Sequence, residues 1–316
     1  MPVQQLYFLN GTSLSDSTAI YDNSGLSILS ADGWYSNGVI TRQQLGGVLQ
    51  PAQLCLSCAA PCEGADGGAR GDGVYKMIID AGSSPSDIGA IIIRYYPVDA
   101  PVGIKAVFDG VTYNEVSGAN TGRLGGVPAG LPIFLGNTSN QSSCPSSSII
   151  GGPFSVPVYI WDGTTFNPTG GNEDVTVILA QDRTTPVGPN GCVIVIPKPD
   201  PSVSILEITS YGVCTQSEFN ITVECPALLK KFKGSQVVES IEDPEIICAL
   251  PVSQNYFLAS VTGTYPYIGL HDLVFLDIYG INPMPDGYYR TNNLISPDDT
   301  IRVVDGVVTE ILNICA

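Results

Sequence analysis

The chain has 316 residues, 30 acidic against 13 basic, for a formal net charge of −17 at neutral pH. This argues against a phosphate backbone as partner, which needs clustered Lys and Arg, and no apolar run approaches the ~20 residues of a membrane-spanning helix, so neither nucleic acid binding nor membrane insertion is expected. Charged residues make up only 14%, while 35 Gly and 24 Pro punctuate the chain, which favours short strands and tight turns over helices and predicts an all-β fold.

The first element is a small β module over residues 1–62. It opens on Met1-Pro2-Val3-Gln4-Gln5, without the basic and apolar regions of a secretory signal. Its landmarks are Gln5-Leu6-Tyr7-Phe8-Leu9, Tyr21-Asp22, Asp32-Gly33-Trp34-Tyr35, and Gly46-Gly47-Val48 running to Cys55. The same order returns near the C-terminus as Gln254-Asn255-Tyr256-Phe257-Leu258, Leu276-Asp277, Asp286-Gly287-Tyr288-Tyr289, and Gly306-Val307-Val308 running to Cys315. The last spacing is nine residues in both copies when Gly46 is set against Gly306. A duplicated module of roughly 55–70 residues is the simplest reading, a size at which one core is marginal by itself.

Residues 58–73 are glycine-rich and read as a linker or ordered loop. They contain Arg70-Gly71-Asp72, the tripeptide read by integrins, and Asp-Gly pairs of the kind that wrap a hard cation; the linker reading is preferred.

Residues 63–226 are expected to form a central β-sandwich or jelly-roll-like region. Phe219, Ile221, Val223 and Cys225 alternate with polar residues, giving one buried and one wet face. Ile91-Ile92-Ile93 and Cys192-Val193-Ile194-Val195-Ile196 are apolar on both faces, as strands in the middle of layered sheets are. Asp109-Gly110, Asp162-Gly163 and Asp305-Gly306, each between aromatic or β-branched flanks, predict two-residue hairpins. Residues 227–316 are assigned to the second β module. A helical connector is expected over Pro226–Glu242, from the spacing of Leu228, Leu229 and Phe232, with Lys230, Lys231 and Lys233 as its solvated end.

Candidate chemistry is sparse. The sole histidine, His271, would have to serve any Ser-His or Cys-His mechanism, and no Gly-x-Ser-x-Gly motif accompanies it. Adjacent acids such as Asp298-Asp299 read as turns. No enzyme activity and no cofactor are expected. Of nine cysteines, Cys55, Cys58 and Cys62 form the densest cluster and are the candidate metal ligands, although a fourth ligand is missing nearby and disulfides are the preferred reading. The candidate binding residues are the aromatic pairs Trp34-Tyr35 and Tyr288-Tyr289. Adjacent residues on a strand point to opposite faces, so one ring can pack inward while its neighbour looks out to a protein interface or a glycan; a scaffold role for the pairs is the preferred reading.

The stretches Tyr7-Phe8-Leu9, Ala19-Ile20-Tyr21-Asp22 and Asp32-Gly33-Trp34-Tyr35-Ser36-Asn37-Gly38 resemble modules of tailed-bacteriophage virion structural proteins, especially tail- or fibre-associated ones. The resemblance implies a virion component, assembled in the host cytoplasm, released by lysis and exposed outside the cell. Its expected partners are other particle proteins, further copies of itself through open strand edges, and a host surface receptor or glycan. A capsid decoration or head fibre, or a bacterial surface adhesin or carbohydrate-binding module, are the alternatives.

Overall fold

The computed structural model describes residues 6–14, 16–37, 40–54, 59–97, 102–113, 133–135, 151–177, 192–240, 244–295 and 298–315. The fold is all-β, with one six-residue helix among the described residues.

The N-terminal module contains β1 (Phe8–Leu9), β2 (Ile20–Tyr21), β3 (Gly33–Ser36), β4 (Ile40–Leu45), β5 (Val48–Leu49) and β6 (Gln53–Leu54). β1 and β2 form one ribbon, and β4 pairs with β3, β5 and β6 in a second sheet.

The central region is a two-sheet sandwich. Its strands are β7 (Ala60–Pro61), β8 (Ala65–Arg70), β9 (Gly73–Asp80), β10 (Gly89–Pro97), β11 (Val102–Phe108), β12 (Val111–Tyr113), β13 (Ile133–Leu135), β14 (Gly151–Trp161), β15 (Phe166–Val177), β16 (Cys192–Lys198), β17 (Ile205–Gly212) and β18 (Glu218–Ala227). One sheet runs β16-β10-β18-β8; the other runs β12-β11-β17-β9-β14-β15, with β13 on β11 and β7 on β9. Ile91, Ile93, Ile194, Phe219 and Ile221 from the first sheet meet Met77, Ile79, Ile104, Leu206 and Ile208 from the second in the main core. Tyr95 crosses that core, sharing a hydrogen with the Ser210 hydroxyl at 2.7 Å and donating to Gly103 O at 3.2 Å. Cys62 and Cys225 are disulfide-bonded, tying the β7–β8 corner to β18.

The C-terminal module contains β19 (Lys230–Gly234), α1 (Pro244–Ala249), β20 (Gln254–Ala259), β21 (Leu273–Phe275), β22 (Gly287–Arg290), β23 (Thr300–Val304) and β24 (Val307–Leu312). Its single sheet runs β19-β20-β21-β24-β23-β22, and bridges from Gly234 to Thr291 and from Val238 to Tyr288 bring its two outer strands together. Cys248 on α1 is disulfide-bonded to Cys315.

The two modules share a register. Phe8 faces Tyr21 and Leu9 faces Ile20; Phe257 faces Phe275 and Leu258 faces Val274. Tyr21 bridges Leu29, eight residues on, and Phe275 bridges Pro283, also eight on. Asn23 accepts the N–H groups of Ser27 and Ile28, while Asp277 accepts those of Ile281 and Asn282. Gly33 to Ser36 pair with Gln44 to Thr41 as Gly287 to Arg290 pair with Val303 to Thr300. The hairpin turns have positive φ at Gly46 and Gly47 (58° and 77°) and at Asp305 and Gly306 (51° and 73°), the conformation a two-residue type I′ turn requires. Gly46 is therefore the counterpart of Asp305, not of Gly306. The nine-residue spacing to cysteine is offset by one between the copies, and Asn23, not Asp22, matches Asp277.

The interiors of the modules differ at two positions of the shared register. Ile301 and Val303 are buried in the C-terminal core. Their counterparts Arg42 and Gln44 are also buried, but bond to backbone. Arg42 donates to Leu14 O, Ser17 O, Leu49 O and Gln50 O, while Gln44 accepts from Ile20 N and donates to Ser30 O. In the C-terminal module the N–H of Val274, counterpart of Ile20, donates to Gly306 O at 2.9 Å. Gln44 thus takes up the N–H that in the C-terminal module reaches Gly306 O, while Leu49 N still donates to Thr18 O at 2.8 Å across the same seam, as Val308 N does to Asp272 O at 2.9 Å.

Three other expectations are corrected. Residues 230–234 of the predicted helix are strand β19: Phe232, packed against Tyr256, and Gly234 are buried while Lys231 and Lys233 face water, a period of two, with Lys230 exposed at the strand's start. Lysines on an outer strand discourage pairing with foreign edges. The helix lies further on, at α1. The glycine-rich segment after Cys58 includes strand β8 on β18, where a Cβ on Gly68 would come within 2.6 Å of Asn220 Oδ1 and 3.1 Å of Phe219 O. Glycine there serves close strand packing, and Arg70-Gly71-Asp72 is the β8–β9 turn. The Asp162-Gly163 loop has four residues, with the Asp162 carboxylate accepting the N–H groups of Thr164 and Thr165. Asp109-Gly110 and Asp305-Gly306 form two-residue hairpins.

Candidate functional site

The aromatic pairs divide as strand geometry demands. Tyr289 is 1% exposed, donates its hydroxyl to Pro285 O at 2.8 Å and meets Tyr256 edge-on at 5.6 Å. Burial pushes its phenol well above the ordinary tyrosine value, so it stays a neutral donor. Tyr35 repeats the arrangement, donating to Ala31 O and meeting Tyr7 edge-on at 5.0 Å. These two rings hold the modules together. Trp34 and Tyr288 point outward, and Trp34 is 56% exposed. The two outward rings sit on different modules.

Around Tyr288 lies a groove of about 470 Å³ lined by Glu239, Asp286, Gly287, Tyr288, Arg302, Val303 and Val304. It is built by residues far apart in sequence. Tyr288 and Val238 exchange both backbone hydrogen bonds, at 2.8 and 2.9 Å, which sets Glu239 at the rim. This approach depends on Gly287: at φ +144°, a Cβ there would lie 2.4 Å from Val237 Cγ2 and 2.9 Å from Val238 O. Across the hairpin, the Arg302 guanidinium stands 5.7 Å from the Tyr288 ring centroid and pairs with Glu310. That hydrogen bond to Glu310 holds the guanidinium above its ordinary value. Both partners are about two-fifths exposed, so the pair orients Arg302 more than it stabilises the fold. Asp286 receives the Asp305 N–H at 2.7 Å. An aromatic ring, two carboxylates and one guanidinium around a shallow groove suit a neutral polyhydroxylated or peptide ligand, whose O–H or N–H groups donate to the acids. The acids oppose an anionic one.

Of the residues that line this groove, sequence reasoning singles out Tyr288 but not Glu239 or Arg302. Arg302 comes opposite Tyr288 through the β22–β23 pairing, whereas the Asp305-Gly306 turn that the sequence announces joins β23 to β24 and sets Arg302 against Glu310. Glu239 had no signal of either kind.

A second polar cluster lies where the C-terminal module meets the sandwich. Arg94 pairs with Glu224 and donates from Nε to Ser260 O at 2.9 Å. Asp272 is 2% exposed, and its carboxylate accepts the N–H groups of Val261 and Gly269 at 2.8 Å each. Burial raises it to about 6 even though both N–H groups favour the charged form. The neighbouring His271 has φ +68° and donates its backbone N–H to Val308 O.

Cys62 carries a disulfide to Cys225, so its sulfur is not a thiolate ligand; Cys55 and Cys58 lie outside the described residues. Among the described residues no group of three His, Cys, Asp or Glu side chains could hold a metal ion, and no helix is long and apolar enough to cross a membrane.

Set against family models, curated proteins and solved structures, the chain has no match in any of the three comparisons.

Proposed function

We propose that the chain is a structural component of a bacteriophage particle, of the tail or fibre apparatus, that assembles with other particle proteins and with copies of itself. A capsid decoration or head-fibre position is a variant of the same reading. The observation that carries it is the double use of one module: two copies with a common strand register flank a sandwich, one fastened firmly to it. Such a design supplies surfaces for docking more readily than a catalytic cleft. The resemblance of the N-terminal residue pattern to phage virion modules and the strongly acidic, charge-sparse composition support it further. Mass spectrometry of purified particles is the test. A fixed, high copy number in virions supports the proposal, and absence from them refutes it.

The Tyr288 groove favours a second role, contact with a host surface glycan, alone as a carbohydrate-binding adhesin or within the particle. Binding of the whole chain to a glycan array that is lost in Tyr288→Ala, with folding intact, supports that role; binding that survives the substitution locates it elsewhere.

A further inference from the structure

The two modules meet the sandwich through opposite faces. The C-terminal module uses its outer face: Phe257, Leu273, Phe275 and Val307 pack on Ile92 and Val195 of the four-stranded sheet, and Phe275 is fully buried. The N-terminal module uses its inner face, where Ile160 of β14 joins Leu14, Ile20, Ile40 and Leu49 in one core. None of the residues packed in the C-terminal contact comes from β22 or β23. The groove beside Tyr288 therefore lies off the docked side of its module, with Glu239 and Asp286 exposed on its walls and Asp305 exposed at the adjoining turn.

Its charges are sorted. Tyr288 stands between Arg302, opposite it on β23, and Val238, opposite it on the other flank. The chain runs antiparallel from Val238, so Glu239 falls on the Gly287 side, toward Asp286. The two carboxylates thus share one end of the groove, and the guanidinium reaches the ring from the other strand. Among the described residues neither Glu239 nor Asp286 is in an ion pair, whereas Arg302 is held by Glu310. Two acids and one base line the groove, 1 − 2 = −1, and Glu310 brings the sum to 1 − 3 = −2.

That excess selects the occupant. A neutral sugar satisfies the ring but leaves both carboxylates without a counter-charge, and an anionic one is repelled. A protonated amine is drawn to the acid end, where the aromatic wall adds cation–π attraction. A lysine side chain has four methylenes to cover, and the apolar wall is little more than Tyr288 and Val304, because Val303 is buried in the core beneath. A sugar ring needs less apolar surface and presents more donors, which matches one aromatic ring and two acceptors. We propose that the groove recognises a glycan through an unacetylated amino sugar, its ammonium between Glu239 and Asp286 and its ring against Tyr288. The inference rests on the glycan-contact reading and names the sugar class.

Titration calorimetry of the full chain with a glucosamine tetramer and with its N-acetylated counterpart tests it, at pH 6, where an aliphatic amine is protonated. The free amine is expected to bind ~10-fold more tightly or better, the effect of one charge-assisted contact, and its advantage should shrink as salt rises. Glu239→Gln and Asp286→Asn keep the shape of the walls, and an amide oxygen still accepts the Asp305 N–H. Each should bring the two ligands within ~3-fold of one another. Equal affinity of the wild type for both tetramers overturns the proposal and leaves the glycan reading standing; this comparison needs no variant to fold. A preference for the amine that survives both carboxylate substitutions is attraction to an acidic chain as a whole, and overturns it as well. A lysine-rich peptide that binds more tightly than either tetramer overturns it in favour of a protein partner. Binding of neither tetramer also overturns it, and the glycan array then decides the broader reading separately.

Discussion

The Tyr289 hydroxyl donates to the carbonyl oxygen of Pro285, four residues earlier, and pins the entry to β22 against the strand itself. Tyr35 does the same to Ala31 in the other copy. Tyr289→Phe removes the donor and strands a carbonyl, so a loss of about 1–2 kcal/mol is expected in chemical denaturation. Tyr35→Phe, whose ring is less buried, should cost about half as much.

Gly33 and Gly287 occupy the same place in the two modules but carry different constraints. A Cβ on Gly33 meets nothing within 4 Å, whereas one on Gly287 strikes Val237 and Val238 at a backbone conformation that L residues rarely adopt. Gly33→Ala is therefore expected to be nearly neutral, and Gly287→Ala to cost about 2 kcal/mol or more. The second variant should also free residues 237–239 from β22 and open the groove. Thermal unfolding together with amide exchange at Val238 measures both effects.

The polar interior of the N-terminal module predicts intolerance of a conservative change. Arg42→Lys keeps the charge but cannot serve four carbonyls in the same geometry, and a loss of about 2–3 kcal/mol is expected. Gln44→Val installs the C-terminal residue but leaves Ile20 N and Ser30 O without their side-chain partner, for about 1–3 kcal/mol. The cost of Gln44→Val falls if the ladder seen at Val274 and Gly306 can close in its place. Urea denaturation of each variant gives the values.

Two groups of carboxylates give opposite pH dependences. Asp272 titrates at about 6 in the folded chain against an ordinary value of 3.8, so the fold binds the proton more tightly than the unfolded chain. Its stabilising contribution is complete below pH ~4 and is lost as pH rises through 6, a change of at most about 3 kcal/mol. Asp162 runs the other way. Burial opposes its charged form, but hydrogen bonds from Thr165, Thr164 and Asn167 outweigh that and hold it at about 2. Its contribution is complete above pH ~4 and disappears as pH falls through 2. Asp272→Asn should flatten the stability profile between pH 4 and 6, and Asp162→Asn below 4. Denaturation midpoints measured across pH separate them.

The sandwich was legible because its signals are local. Ile91-Ile92-Ile93 announced a strand buried on both sides, and in the structure Ile91 and Ile93 fill the sandwich while Ile92 faces the C-terminal module. The repeat was legible in order but not in register, because Gly46-Gly47 offered two glycines and only the turn conformation shows which one matches Gly306. The strand at Phe232 was hidden by a run of lysines that reads equally well as a helix end, and β8 by glycines whose purpose is contact with β18, a strand some 150 residues away in sequence. Glu239 was invisible for the same reason: only the pairing of Val238 with Tyr288 brings it to the groove.

Using opposite faces of one fold has a consequence for stoichiometry. Because the C-terminal copy spends its outer face inside the molecule, each chain has a single such surface to give, a valency of one. Any association through that face would therefore stop at a pair, and a longer array would have to recruit a different surface.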